Sequence, residues 1–577
     1  MPDLSNLAIA AAFDELADLY ELDGAIVHRV LAYRTAAKSV REATVSVAAL
    51  TRAGRVTELP GIGSTLEEKI RALLQTGTIP AAEKLRARYP PGLLDLTRLP
   101  GLGPKRARRL FDELGIESLE MLRAAAETQR LRDVRGFGVK FEESVRAALA
   151  AGVADRPAPR VLLHRALGIG EQIVAGLRAH PAAHRVELAG SARRCADSVK
   201  DLDVIATAAD PAALCAALGD LEVIESASSP GPHAARGRTH SGLPVDLRVV
   251  TPDRFGNLLQ HFTGSQGHNV ALREAAVRRG LHVSEYGILD DASATMLHCA
   301  TEEEVYARLG LVYPEPELRE DRGELDPDFV APALVTLGDV RGDLHCHTIA
   351  SDGRNTIEEM ALAARARGYE YLAITDHSAT HGFGNHVAPD ELERQIERVA
   401  EVDARVEGIR VLAGTETNIL PDGSPDYDDE LLARLDWVIA SVHTAFSMSA
   451  AEMTRRMVAA TEHPWIDAIG HPTGRKIGSR AGYALDVDAL IAAAVHTGTM
   501  LEINSAPDRR DLDDVHARAA AQAGAMVLVD SDAHGTNTLG IMRWGIATAR
   551  RAWLEPRHIA NTRAWPEFAA LRKRARG

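Results

Sequence analysis

After residue 338 the chain repeats one arrangement that few folds can satisfy: a short apolar run, a histidine or carboxylate, then an Ala-rich helical stretch. YLAIT (371–375), WVIAS (437–441), MLEIN (500–504) and MVLVD (526–530) have the length and composition of strands. Strands alternating with helices predict βα units and a parallel sheet or barrel over 339–577. In GDLHCHTIASDG (342–353), His345 and His347 are two apart, so on a strand both face one way and Cys346 the other. Cys346 is therefore not expected to be a ligand. Asp352 follows in the turn. Further strand patterns lead to His377 in AITDHS, Glu416 in GTETNIL, His443 in ASVHT, His471 in IGHPTG, and Asp532 and His534 in DSDAH. Such barrels collect their active sites at the C-terminal ends of strands. A multinuclear metal centre is the expectation, and its all-N/O donor set suits Mn²⁺, Zn²⁺ or Fe²⁺. His381, His386, His463 and His516 fit no such pattern and are expected on the surface.

At 577 residues the chain is too long for one core. Residues 1–150 read as helical and contain a repeat: LPGIGSTLEEKI (59–70), LPGLGPKRARRL (99–110) and VRGFGVKFEESV (134–145). Each copy is an apolar residue, a G-x-G turn and an amphipathic helix. The glycine pairs are Gly61/Gly63, Gly101/Gly103 and Gly136/Gly138. A G-x-G turn opening a helix brings backbone N–H groups to a phosphate at the favourable helix end, so the repeat predicts sequence-independent binding of the DNA backbone. Lys105, Arg106, Arg108 and Arg109 follow the second turn directly. The net charge of −15 is unevenly spread. Residues 1–160 hold 24 Lys and Arg against 21 Asp and Glu, a net of +3; the rest hold 42 against 60, a net of −18. The front is mildly basic, which predicts salt-sensitive binding through phosphates. Residues 151–160 and the proline- and acid-rich 313–333 read as linkers.

Between them, GSARRCADSVKDLDVIAT (190–207) places Asp201 and Asp203 on one face of a strand, and Asp246 lies in the apolar PVDLRVV (244–250). A carboxylate in an apolar strand is costly unless paired or bound to a cation. Three on adjacent strands can hold two Mg²⁺ or Mn²⁺ ions for in-line nucleotidyl transfer. Gly190, Ser191 and Arg194 offer a turn, a hydroxyl and a cation to a triphosphate.

G-S-x-R-R, D-x-D, the later strand Asp and FTGSQGHN (262–269) together resemble family X DNA polymerases over about residues 1–318. The resemblance implies Asp201, Asp203 and Asp246 as metal ligands and Ser191 and Arg194 on the triphosphate. It also implies Phe262, Gly264 and Ser265 at a turn beside the incoming nucleotide, with Asn269 and Arg273 facing the nascent pair. His261 stands where the family usually has tyrosine, and Lys200 where it usually has glycine. Lys69 matches a lysine that in the family forms a Schiff base with an abasic sugar phosphate, and Arg29 a phosphate-binding base. Glu67 and Glu68, however, give Lys69 no reason for a lowered pKa. From 339 onward, H-x-H, TDH, G-x-E, SVH, GHPTGR and SDAH resemble the polymerase and histidinol phosphatase (PHP) domain. That implies a distorted (β/α)7 barrel with up to three metals and phosphoester hydrolysis.

The expected organisation is multidomain, α followed by α/β. It runs as a helical lyase-like domain with helix-hairpin-helix turns (1–90), helical fingers (91–155), a nucleotidyltransferase palm and thumb (156–318), a linker (319–338) and the PHP barrel (339–577). The implied function is gap filling in DNA repair, with gapped or nicked DNA and dNTPs as partners, and a nuclease or phosphatase acting at 3′ ends. Two alternatives remain at this point: a PHP nuclease using an inactive front half as a DNA clamp, and a DNA-end scaffold with structural metals. No apolar run approaches the ~20 residues of a membrane helix. The start, MPDLSNLAIAAAFDELADLYEL, carries Asp14, Glu15 and Asp18 and reads as an amphipathic helix, not a signal peptide. A monomer in the cytoplasm, associated with the nucleoid, is expected. Four widely spaced cysteines predict reduced thiols.

Overall fold

The computed structural model describes residues 4–97, 99, 101–150, 160–382 and 384–575. The expected linker at 151–160 lies outside the described residues except for Arg160, as does Pro100 of the second turn. The chain forms two compact units: Met1–Val161 with Gly168–Leu188 and Lys200–Thr251, and Leu162–Leu167 with Ala189–Val199 and Pro252–Gly577. No described helix is long and apolar enough to cross a membrane.

In the first unit the three G-x-G turns open helices α1 (Ser64–Thr76), α2 (Pro104–Leu114) and α3 (Val139–Ala150). Gly61, Gly101 and Gly136 sit at φ +77°, +80° and +84°, where a side chain would be strained. A Cβ at Gly63, Gly103 or Gly138 would meet nothing within 4 Å, so the turns are open to an approaching backbone. Pro104 occupies the first turn of α2, where its missing N–H costs nothing. Ile9, Phe13, Val40 and Ile70 belong to one helical core, and Leu93, Leu110 and Leu131 to another.

The same unit holds a five-stranded sheet. Its strands are β1 (Ala183–Leu188), β2 (Leu202–Ala208), β3 (Ile224–Gly231), β4 (Ala234–Thr239) and β5 (Pro244–Val250), in the order β1-β2-β5-β4-β3. Only β2 and β5 pair in parallel, and their register sets Asp203 opposite Asp246.

The second unit contains helices α4 (Phe255–Thr263) and α5 (Gln266–Val277) and a three-stranded antiparallel sheet of β6 (Leu281–Ser284), β7 (Gly287–Asp290) and β8 (Thr295–Leu297). The proline- and acid-rich stretch that follows is irregular but packed, with Leu318, Arg319 and Glu324 buried. Arg319 is held by Glu302 at 2.5 Å.

Beyond it, seven strands run parallel in sequence order: β9 (Gly342–Asp343), β10 (Tyr371–Ile374), β11 (Arg410–Asn418), β12 (Trp437–Ser441), β13 (Ala468–Ile469), β14 (Met500–Asn504) and β15 (Val527–Asp530). A parallel bridge between Cys346 and Ala533 joins the segment after β9 to the one after β15, and the His347 N–H donates to Ala533 O at 2.8 Å. The array thus curls into a barrel. Alternation on β10 sends Tyr371 and Ala373 inward and Leu372 and Ile374 out toward the helices. Phe568, near the C-terminus, stacks on Tyr371 at 4.9 Å and packs against the interior at the N-terminal end of the strands. Cys346, between His345 and His347, turns into the outer core rather than toward the ligands.

Candidate active sites

The barrel brings all nine expected ligands together. Glu416, at the C-terminal part of β11, is the hub. Its Oε2 lies 2.8 Å from His377 Nδ1, 3.4 Å from His345 Nε2 and 3.6 Å from His347 Nε2. Its Oε1 lies 3.1 Å from His471 Nε2 and 3.3 Å from His443 Nε2. Asp532 Oδ1 is 3.1 Å from His347 Nε2 and 3.7 Å from His345 Nε2, and Asp352 Oδ2 is 3.2 Å from His534 Nε2. His471 and Asp532 adopt φ of +29° and +53°, strained values that swing each side chain off its strand end into the centre.

Three overlapping groups have donor atoms close enough to share a cation: His347, Asp352, His377 and His534; His345, His347 and Asp532; His377, Glu416 and His443. The residues fit divalent metals on a second ground. His347 Nδ1 and His471 Nδ1 are buried without a hydrogen-bond partner, a costly state that a cation relieves. Electrostatics agree. Burial opposes charge on Glu416, yet His443, His345 and His377 hold its pKa well below the carboxylate range. Burial, reinforced by Arg509, pushes His471 down to about 3. His534 rises to about 9 despite burial, because Asp352 and Asp532 face it.

Sequence reasoning missed several supporting residues. Glu502, inside β14, accepts from His345 Nδ1 at 2.7 Å and also from the His471 N–H. It fixes one ligand's ring and another's backbone, as carboxylates behind metal-bound histidines do. The signal was present: a carboxylate within the apolar run MLEIN is the same anomaly as Asp246 within PVDLRVV. Asp376 accepts from the Thr348 N–H and hydroxyl, the Ser351 hydroxyl and Gln395, which fixes the turn leading to Asp352. The surface expectation fails for His381, which is buried and stacks on His377 at 4.6 Å. A loop placed over the ligands buries it, and no strand pattern announces such a loop. His386 is exposed, and His463 and His516 are half-buried.

In the first unit, Asp203 and Asp246 are half-buried and opposed across β2 and β5, and the exposed Asp201 precedes β2 by one residue. Arg248, two residues along β5, pairs with Asp246 at 2.9 Å. This face fits cations: two carboxylates stand in register on neighbouring strands. Lys69 lines a cavity of about 580 Å³ with Tyr20, Lys84 and Arg88, and Arg29 lies over the Tyr20 ring at 5.4 Å. Lys105 and Arg106 are exposed beside the second turn. Arg108 is tied to Asp112, Tyr89 and the Leu22 carbonyl, and Arg109 to Glu113 and the Arg135 carbonyl. Those two arginines hold the helices together.

In the second unit, Gly190 (φ +65°) and Ser191 open a four-residue helical turn. Arg194 is held by Glu320 at 3.0 Å and donates to Thr263 O at 2.5 Å, beside Gly264. Ser265 caps α5 by accepting from the His268 N–H. Asn269 donates to His261 O and accepts from Gln260, Phe262 lies in the last turn of α4 beside His261, and Arg273 is exposed.

Fold and sites together define a metal-dependent phosphoesterase barrel joined in one chain to DNA-polymerase and helix-hairpin-helix modules. Family models match in the same order: a helix-hairpin-helix domain (5–79), a SAM-like helix-hairpin-helix tandem (93–151), a DNA polymerase beta thumb (258–320) and a PHP domain (343–505). The chain is 36% identical over 574 residues to the DNA polymerase/3′-5′ exonuclease PolX of Bacillus subtilis, covering 98% of this chain and 99% of that one. Probable phosphatases of Caldanaerobacter subterraneus and Acetivibrio thermocellus match 33% of this chain each, at 32% identity, and 75% and 78% of their own lengths. The chain belongs to the bacterial family X DNA polymerases that carry a PHP domain.

Proposed function

We propose that the chain fills short gaps in DNA during base excision or end-joining repair and trims 3′ ends in its PHP barrel as a 3′→5′ exonuclease. The observation that carries this reading is the coexistence of two donor sets: aspartates in register on one sheet, and a barrel in which five histidines surround Glu416 with Asp352, Asp532 and His534 beside them. In this reading the segments are those set out above: a lyase-like domain to 90, fingers to 155, palm and thumb to 318, a linker to 338 and the PHP domain from 339. The substrates are gapped or nicked DNA and dNTPs, and the protein acts as a cytoplasmic, nucleoid-associated monomer.

Asp201, Asp203 and Asp246 hold Mg²⁺ or Mn²⁺, and Ser191 and Arg194 bind the triphosphate. Phe262, Gly264, Ser265, Asn269 and Arg273 position the nucleotide and the nascent pair. The glycines of the three turns, with Lys105, Arg106 and Arg29, hold the DNA backbone. Lys69, with Lys84 and Arg88 beside it, binds a 5′-phosphate end and is the residue to test for lyase chemistry. In the barrel the nine ligands hold up to three Mn²⁺, Zn²⁺ or Fe²⁺ ions. Such ions supply charge stabilisation and an activated water at a phosphorus centre. The chain's own contribution is a buried site with ligands already oriented, His345 by Glu502 and the turn to Asp352 by Asp376.

The test uses a labelled primer on a one-nucleotide gap with a 5′-phosphate and Mn²⁺, with and without dNTPs. Extension is expected to vanish only in Asp203→Ala and shortening only in His345→Ala. A wild type that shortens primers but extends none with any dNTP overturns the polymerase half.

A further inference from the structure

The ligands open into a cavity of about 460 Å³ whose far wall has a different character. Glu416, Asp532 and the histidines form one side. Phe446, Lys476, Arg480, Asp508 and Arg509 form another, with Lys476 Nζ 3.5 Å from Asp508. The Arg480 guanidinium lies over the Phe446 ring at 4.6 Å, and its Nε is anchored on the Gly474 carbonyl at 3.0 Å. Lys476 and Arg480 are joined by a backbone bridge, so the loop carrying the cation is ordered. Phe446 in turn lies nearly parallel to Tyr483, 21° apart with centroids at 6.3 Å. The result is a flat, cationic-aromatic plate at the rim. Arg509 is only half-buried, yet its Nη1 is buried without a hydrogen-bond partner. A guanidinium nitrogen left this way in a cavity lined by candidate metal ligands is suited to an anion.

A cation facing metal ligands and a stacking plate nearby, in a space on the scale of a small ligand, match the two halves of one nucleotide. Bases stack on aromatic rings and on arginine planes without regard to sequence. A phosphate pairs with arginine through charge-assisted hydrogen bonds. We propose that Phe446 and Arg480 form a stacking subsite for the base of the 3′-terminal nucleotide, with Arg509 supplying the cation for its phosphate. This rests on the 3′-exonuclease reading and deepens it. The subsite commits the cavity to an unpaired terminal nucleotide and gives it a grip that a bare terminal phosphate cannot use.

The experiment compares two single-stranded DNAs that differ only in the 3′-terminal residue, one bearing a base and the other an abasic tetrahydrofuran. Wild type, Phe446→Leu, Arg480→Met and Arg509→Gln are assayed with Mn²⁺, after metal content and melting temperature are matched to wild type. Phe446→Leu keeps apolar volume and removes the plane. Phe446→Leu and Arg480→Met are expected to raise KM about tenfold on the base-bearing end, and the loss should shrink to within about twofold on the abasic end. Arg509→Gln should slow both DNAs alike, because both keep the phosphate. Equal losses of Phe446→Leu on the two DNAs would mean that the plate only braces its loop, and the proposal falls. Phe446→Trp should restore the preference for the base-bearing end. If the wild type shortens neither DNA, the nuclease reading itself fails, which is a separate outcome from equal losses in the variants.

Discussion

The two donor sets of this chain are built on opposite plans. In the barrel, nine candidate ligands come from strand ends and the turn at Asp352, are mostly buried, and gather around Glu416 and its five neighbouring histidines. On the five-stranded sheet, Asp203 and Asp246 are half-buried, Asp201 is exposed, and Arg248 partly neutralises the pair. The first donor set is gathered by the fold itself. The second is an open carboxylate face. Preorganised charge raises affinity for ions, whereas an open face can admit and release a cation together with each nucleotide.

The strongest way to break this contrast is to remove its centres. Glu416→Gln is expected to lower primer shortening by at least about a thousandfold and to reduce the metal carried through purification, since metal contributes several kcal/mol at the transition state. Asp246→Asn is expected to lower extension by a similar factor while leaving metal content by mass spectrometry unchanged. Should Asp246→Asn also strip purified metal, the open-face description is wrong. Next in size, Glu502→Gln should weaken metal affinity by about ten- to a hundredfold, read by chelator competition, with extension kinetics intact.

How far the sequence alone reached divides along the same line. The strand ends of the barrel were legible because most of the ligands lie at or just after an apolar run, and the closed array then brings such ends to one place. Glu502 sits in mid-strand and His381 in a loop, where only the closure of the barrel gives a side chain its meaning. On the sheet, period-two spacing paired Asp201 with Asp203, but only the parallel register sets Asp203 against Asp246. Arg108 and Arg109 bond helices, and helix-surface spacing cannot separate a phosphate contact from a packing contact.

Two smaller effects sharpen the comparison outside the centres. Replacing the exposed Lys105 with alanine should weaken DNA binding a few-fold and lower the slope of log affinity against log salt by about 1, measured by fluorescence titration. The same change at Arg108 should lower the melting temperature instead.

The smallest effect concerns pH. His268 is buried between Glu324 at 2.7 Å and the Tyr306 hydroxyl at 2.8 Å. Burial lowers its pKa, with Arg319 adding to the effect and Glu324 opposing it. Its unfolded form therefore binds a proton at a pH where the folded form does not. Its contribution to stability is present above pH ~6.5 and is lost as pH falls below that value toward the lowered folded pKa. The fall in melting temperature between pH 6.5 and 5.5 should be shallower in His268→Gln than in wild type.

The bridge between Cys346 and Ala533 marks where a linear series of βα units becomes a ring. His345 and His347 lie on one lip of that seam, and Asp532 and His534 on the other. An ion gripped by both lips is a clasp as well as a reagent. Demetallation would then loosen the domain where its first and last strands meet, so the parts of the barrel farthest apart along the chain would be the first to separate.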